Sequence, residues 1–239
     1  MVALPAVALA DDTISTDKGD LVIHPFHHAS MLLTWNGLHI LVDPAPPVTG
    51  DKPADITAEY KASATPDLIL VTHEHPDHFN VDILEAVAGA DTALVAPKDV
   101  ADKLPADLKA KTKVMADGDS ATVKGVPIVT VPAYNTTADR AKFHPEGRSD
   151  DGYLLTLGDK RIYIAGDTEE TPGMKALTNI DVAFLPMNLP YTMDIEQAAQ
   201  AVKDFKPKVV YPYHYAGSDV NAFKTLVGNA ADVRLLKWY

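Results

Sequence analysis

The apolar run Leu68-Ile69-Leu70-Val71 leads directly into Thr72-His73-Glu74-His75-Pro76-Asp77-His78, and this junction constrains the fold more than any other feature of the chain. Three imidazoles and a carboxylate fall within six residues at the end of what reads as a buried strand. Imidazole and carboxylate are preferred ligands of zinc and similar divalent ions, and a metal site needs them on a rigid element. If the segment stays extended, alternation puts His73, His75 and Asp77 on one side. His78 then points the other way, which suits two adjacent ions better than one. A lone His before Pro is commonly a surface residue, but three His and one Asp at this spacing read as a metal site.

The same arrangement recurs. Val42-Asp43, Ala165-Gly166-Asp167 and Pro212-Tyr213-His214 each place a metal-competent group at the C-terminal end of an apolar stretch. Ligand sites in layered α/β proteins gather at such strand ends. Thirteen stretches read as strands, at 21–24, 30–35, 38–43, 68–72, 93–96, 113–115, 120–123, 126–131, 152–157, 160–165, 182–185, 209–212 and 233–236. Helices are expected at 81–88, 98–103, 106–111, 195–205 and 220–227, the fourth with Asp194 and Gln197 placed as a capping box. Asn36-Gly37 is a two-residue hairpin signal, and Gly158-Asp159 is another. Each half of the chain is a strand cluster followed by helices, which predicts two sheets flanked by helices in one domain over 11–239.

Composition narrows the chemistry. The 239 residues contain no cysteine, so disulfides and thiolate ligands are excluded and His, Asp and Glu must do any coordination. The net charge of −12 and the lack of a basic run give a nucleic-acid backbone no electrostatic footprint, so no nucleic-acid partner is expected. No apolar run approaches the ~20 residues of a transmembrane span. Val2 to Ala10 is apolar and ends Ala8-Leu9-Ala10 before Asp11-Asp12, which reads as the residual end of a signal peptide over 1–10. A periplasmic or secreted location follows from that cue, with the cytoplasm as the alternative.

His73, His75, Asp77 and His78 match in full the His-x-His-x-Asp-His signature of the metallo-β-lactamase superfamily, which the chain resembles from about Asp20 to its end. Val42-Asp43-Pro44, Ala165-Gly166-Asp167-Thr168 and Tyr213-His214-Tyr215 are the other matching pieces. His27-His28-Ala29-Ser30 looks like the branch of L-ascorbate-6-phosphate lactonase-like hydrolases, which also includes N-acyl-phosphatidylethanolamine phospholipase D. The resemblance implies an α/β fold of αββα type, a four-layer sandwich with the site at one edge of two sheets. It also implies two divalent ions, zinc first, with manganese, iron or nickel as alternatives. His73 and His75 would hold one, Asp77, His78 and His214 the other, and Asp167 would bridge them. The nucleophile would be a hydroxide between the ions, with no Ser or Cys required.

The chain departs from the branch at one ligand. Where a His follows a strand ending Pro-Ala-aromatic, this chain has Asn135 after Val131-Pro132-Ala133-Tyr134. Either the first ion has two imidazoles and the bridging groups, or His144 reaches in from the following loop; Asn135 could also ligate through its amide oxygen. His144 follows that strand end on a long polar loop, so closure over a substrate would bring it in, and with Asp77 it is a candidate catalytic residue. Asp43 is placed to orient a ligand His through its other ring nitrogen. His28 is expected beside the cleft, with Tyr134, Tyr191 and Tyr213 as candidate lining. The function expected is metal-dependent hydrolysis of a small-molecule ester, lactone, amide or phosphodiester. The alternatives are a nuclease of the same superfamily and a non-catalytic metal-binding or sensor protein.

Overall fold

Strands that are apolar at nearly every position must be covered on both faces, and this chain meets that demand with four layers. The computed structural model describes residues 11–47 and 53–239; the segment 1–10, with its export reading, lies outside the described residues. The first half supplies β1 (Asp12–Thr16), β2 (Gly19–Pro25), β3 (Met31–Trp35), β4 (Leu38–Val42), α1 (Pro53–Ser63), β5 (Leu68–Leu70), α2 (Val81–Val87), β6 (Ala93–Ala96), α3 (Lys98–Lys103), α4 (Ala106–Ala110) and β7 (Thr112–Val114). The second supplies β8 (Ser120–Val123), β9 (Val126–Pro132), β10 (Asp151–Leu157), β11 (Lys160–Ile164), α5 (Pro172–Lys175), β12 (Val182–Pro186), α6 (Ile195–Phe205), β13 (Val209–Tyr213), α7 (Val220–Val227) and β14 (Asp232–Val233).

Each half forms one seven-stranded sheet, in the order β1 to β7 and β14 back to β8. Pairing is antiparallel from β1 to β4 and parallel from β4 to β7. It is likewise antiparallel from β8 to β11 and parallel from β11 to β14. Side-chain alternation sorts each strand between two cores. Met31, Leu33 and Trp35 of β3 meet Val182 and Phe184 of β12 between the sheets. Leu32 of β3 and Ile69 of β5 face α1 to α4, while Ala183 and Leu185 of β12 face α5 to α7. The architecture is the αββα sandwich that the resemblance implies.

Local signals explain the boundaries. Asn36 and Gly37 both have positive φ, 50° and 78°, which a two-residue hairpin turn requires. Asp194 accepts from the Gln197 N–H and Gln197 returns the bond, so α6 begins where the capping box placed it. Three elements escape the sequence reading, the four-residue α5 among them. β1 is polar but for Ile14, and only pairing with β2 makes it a strand. Among the described side chains of α1 only Ile56 and Tyr60, four residues apart, are buried, too thin a stripe to show as helical periodicity. The last strand, expected over 233–236, is cut to Asp232–Val233 at the sheet edge.

Asp151, at the start of β10, is fully buried, and neither of its carboxylate oxygens has a hydrogen-bond partner. Burial first, and then the Asp117 carboxylate, push its pKa up to about 8. A folded state that holds this proton more tightly than the unfolded chain loses stability as pH rises from about 4 to about 8. Asp151→Asn should flatten that slope and leave the protein more stable at pH 8 by about 1 kcal/mol or more in urea unfolding. A slope unchanged by the substitution would show that Asp151 ionises freely in the native state.

Candidate metal centre

The strand-end residues singled out above all arrive at one edge of the sandwich. β4 delivers Asp43, β5 delivers Thr72 and His73, β11 delivers Asp167 and β13 delivers His214. His28 comes from the β2–β3 connection, and His144 from the loop between β9 and β10. Three groups of potential ligand atoms form there, each group within 4.8 Å: His73, His75 and His144; His28, Asp77, His78 and His214; and His73, His78 and Asp167.

The His73–His78 segment is not extended. β5 ends at Leu70, and the His75 carbonyl accepts from the N–H groups of His78 and Phe79 at 2.9 and 2.8 Å, closing a turn. Alternation is therefore the wrong account of how the ligands divide. The turn sends His73 and His75 to one group and Asp77 and His78 to the other, with His73 also beside His78.

Hydrogen bonds set which ring nitrogen of each His faces the centre. Asp43 is buried and accepts from Thr72 N and Thr72 Oγ1 at 2.7 Å each and from His78 Nδ1 at 2.8 Å. Because the Thr72 hydroxyl donates to Asp43, it can accept from His73 Nδ1 at 3.0 Å. His144 Nδ1 lies 3.1 Å from Asp150 Oδ2. The outer nitrogens thus being engaged, Nε2 of His73, His78 and His144 is left to point inward. His75 lies with Nε2 beside Arg148 at 2.9 Å and Nδ1 at 3.1 Å from His73 Nε2. Asp167 sits between the groups, with Oδ1 3.3 Å from His78 Nε2 and Oδ2 3.3 Å from His144 Nε2 and 3.2 Å from His214 Nε2. His28 bridges Tyr239 Oη at 2.6 Å and Asp77 Oδ2 at 3.0 Å.

These groups fit a cation. His78 Nε2, Asp167 Oδ1 and both ring nitrogens of His214 are buried without a hydrogen bond, a costly state for polar atoms unless something else binds them. The donors are all N and O, a set suited to zinc and its neighbours. The electrostatics agree. Burial alone would raise Asp167, but His214 and His78 outweigh it and hold the carboxyl well below its usual range. Burial would likewise lower His214, yet Asp167 carries it up to about 8. His73 and His28 go the other way because burial dominates, His28 reaching about 4. Backbone strain marks the same place, since His28, Asp43 and His214 all have left-handed φ, between 43° and 56°. Gly166 is left-handed for a steric reason as well: a Cβ there would meet Asp151 O at 3.1 Å and Thr72 Cβ at 3.3 Å.

A cavity of about 390 Å³ opens on the centre, lined by His28, His75, Asp77, His144 and Asp167 together with Pro76, Phe143, Asn188 and Tyr191. Of the tyrosines expected there, Tyr191 lines it and Tyr134 does not. Tyr213 is buried core, its hydroxyl accepting from Gly166 N at 2.8 Å. Asn135 donates through its amide nitrogen to the carbonyls of Arg140 at 3.1 Å and Tyr191 at 2.7 Å, while its Oδ1 is buried without a hydrogen-bond partner. His144 needs no loop closure; it is 1% exposed and already beside His73 and His75. His24, His27 and His39 pair with Asp11, Glu59 and Asp67 outside the ligand groups. Thr72, Asp150, Arg148 and Tyr239 were not singled out from sequence. Asp150 and Arg148 flank the His144 loop, a signal within reach, but no spacing links residue 28 to residue 239.

Comparison with known proteins agrees with this geometry. The family described as the beta-lactamase superfamily domain matches residues 22–214. A UPF0173 metal-dependent hydrolase of Thermococcus onnurineus is 35% identical over 210 residues, covering 83% of this chain and 88% of that protein. One from Lysinibacillus sphaericus is 32% identical over 223 residues, covering 88% and 93%. A solved Parabacteroides distasonis protein, assigned as a metal-dependent hydrolase, is 39% identical with a TM-score of 0.86, covering 97% of this chain and all of that one. A metallo hydrolase from Ignicoccus hospitalis is 26% identical with a TM-score of 0.73, covering 91% and 95%. The chain belongs to the metallo-β-lactamase superfamily and, within it, to the UPF0173 metal-dependent hydrolase family.

Asp43→Ala tests the orienting bonds. It removes the acceptor of His78 Nδ1 and of both Thr72 donors. Affinity for zinc, measured by chelator competition, should fall about tenfold to a hundredfold. Affinity within threefold of wild type would mean that the ligands hold their orientation without Asp43.

Proposed function

We propose that the chain is a binuclear hydrolase of small esters, lactones, amides or phosphodiesters, with His73, His75 and His144 holding one divalent ion. Asp77, His78 and His214 hold the other, and Asp167 reaches both. The observation that carries this reading is the meeting of two ligand groups at Asp167, whose oxygens lie 3.2 to 3.3 Å from His78, His144 and His214. Cations held by these residues would supply Lewis acidity, lowering the pKa of a bound water and offsetting negative charge as it develops on the substrate.

The chain's own residues do the rest. Asp43, Thr72 and Asp150 fix the imidazoles through their outer nitrogens, so the centre is set before a substrate arrives. Asp77 is held well below the usual carboxylate range, its burial outweighed by His214 and His28, and stays ionised. His28 closes the wall behind Asp77. The ester and lactone end of the substrate range accords with the lactonase-like opening His27-His28-Ala29-Ser30. A nuclease gains no support, because among the described residues no Lys or Arg lines the cavity. The incomplete-site reading rested on Asn135, and His144 supplies a third imidazole at that place.

Elemental analysis of zinc-loaded protein should return two ions per chain, and no more than one at saturation would overturn the binuclear form. Asp77→Ala and His214→Ala should each lower hydrolysis of a generic ester at least a hundredfold. A wild-type protein that holds its ions yet hydrolyses nothing across esters, lactones, amides and phosphodiesters would overturn the hydrolase reading.

His144→Ala should lower turnover or the occupancy of the first ion by tenfold or more, about 1.4 kcal/mol. Chelation should lower the melting temperature, because an ion bound only by the native state stabilises it, and should do so less in His144→Ala. Unchanged turnover and occupancy would make His144 a structural residue.

A further inference from the structure

The cavity has a chemical asymmetry. Its floor is the ligand cluster, while its outer wall is aromatic: Phe143 and Tyr191 meet edge to face at 5.0 Å, and Tyr191 is 46% exposed. Leu189, beside this wall in sequence, is 50% exposed. Among the described residues no Lys or Arg lines the cavity, and its charged members Asp77 and Asp167 are carboxylates. The nearby Arg148 is engaged by Asp150, through Nε at 2.9 Å and Nη2 at 2.8 Å. The exposed Lys142 stands outside that lining, with its Nζ 5.1 Å from the Phe143 ring centroid.

The wall is built rather than incidental. Phe143 rides on the loop that brings His144, and Tyr191 on the segment between β12 and α6, two parts of the chain far apart in sequence. Asn135 ties them, its side-chain amide donating to Arg140 O on one and to Tyr191 O on the other, while its backbone N–H donates to His144 O at 2.8 Å. Arg140 anchors the loop further, with Nη1 2.6 Å from Glu169 Oε1 and Nη2 3.3 Å from Asp194 Oδ2. A preorganised aromatic face next to a reaction centre is how small-molecule sites gain orientation and selectivity.

Resting on the hydrolase reading above, we propose that Phe143 and Tyr191 bind an uncharged apolar group of about phenyl size beside the scissile bond, and that Asn135 is the positioning residue that holds the two rings together. The preferred substrate is then a neutral ester, lactone or amide with an aryl or similarly flat apolar substituent. A cavity of about 390 Å³ is of the size that takes such a molecule.

The test uses three methyl esters with one leaving group: methyl phenylacetate, methyl acetate and monomethyl succinate. Zinc-loaded protein should favour the phenylacetate by at least tenfold in kcat/KM over both others; one methylene in an apolar pocket is already worth about 10–200-fold. Tyr191→Ala and Phe143→Ala should reduce the preference below threefold, and Tyr191→Phe should retain it. Asn135→Ala should also erode the preference while the protein keeps its full complement of zinc. A preference left unchanged in Asn135→Ala would overturn its positioning role. Saturation-transfer NMR of phenylacetamide with metal-free protein gives a readout independent of turnover. Contact at the ring protons should appear in wild type and vanish in Tyr191→Ala. Equal use of the three esters, or a preference that survives both alanine variants, would overturn the aromatic wall. If no ester is hydrolysed, the hydrolase reading fails on its own, and the NMR contact still decides the wall.

Discussion

The active edge depends on how the lone pairs of one buried carboxylate are shared. Asp43 has no exposed surface, and an unpaired carboxylate there would be strongly destabilising. Three donors satisfy it: the backbone and hydroxyl of Thr72 and the imidazole of His78. Those bonds lock the ends of β4 and β5 together and aim His78 in the same stroke. They also explain why Asp43 tolerates a left-handed φ of 43°, because the surrounding bonds over-determine its position. The device recurs with Asp150 on His144 and Thr72 on His73, so the inward atoms are set by contacts made on the outside of the centre.

Six imidazoles and two carboxylates crowd this edge, and they cannot all be charged by protons alone. Burial lowers His73 and takes His28 to about 4, while Asp167 raises His78 and takes His214 to about 8. The cluster is thus split between rings kept neutral and rings drawn toward positive charge, around two carboxylates that stay ionised. A divalent cation resolves that split more completely than any proton placement, since it binds neutral imidazole and anionic carboxylate together. The common plan of the two halves brings the cluster together. Each half passes from antiparallel to parallel pairing, so β5 in one and β11 and β13 in the other end at the same edge.

The parts of the fold legible in the sequence were those written in local chemistry. The capping box at Asp194, the Asn36-Gly37 turn and the buried strands in the middle of each sheet follow from residues near one another in the chain. β1 and α1 were not legible because neither carries an apolar pattern of its own: Ile14 is the one apolar residue of β1, and among the described side chains of α1 only Ile56 and Tyr60 are buried. The same division runs through the candidate site. His73, His75, Asp77, His78, Asp167 and His214 stood out as motif residues and do lie together. Asp150, Arg148 and Tyr239 act through contacts that exist only once the loops are placed. Tyr213 was misjudged because its strand parity, which buries it between the sheets, outweighed its nearness to His214.

In the proposed centre the third imidazole, His144, comes from a loop rather than a strand end, and this governs how the site can change. When a ligand follows directly on a strand, its position is fixed by the sheet, and substrate-binding loops vary around it. Here His144 sits on the same loop as its neighbour Phe143, which lines the cavity. Asn135 and Asp150 seat that loop from its two ends, through backbone and ring respectively. A shift of the loop that enlarged the cavity at Phe143 would also move His144 Nε2 relative to His73 and Asp167. Ligand geometry and cavity shape are therefore coupled at this position, and change confined to shape must come from the opposite wall, at Asn188 and Tyr191. That segment carries none of the clustered ligands; its polar ties run within itself to Thr192, to Asn135 and, from Met187 N, to the backbone carbonyl of His214.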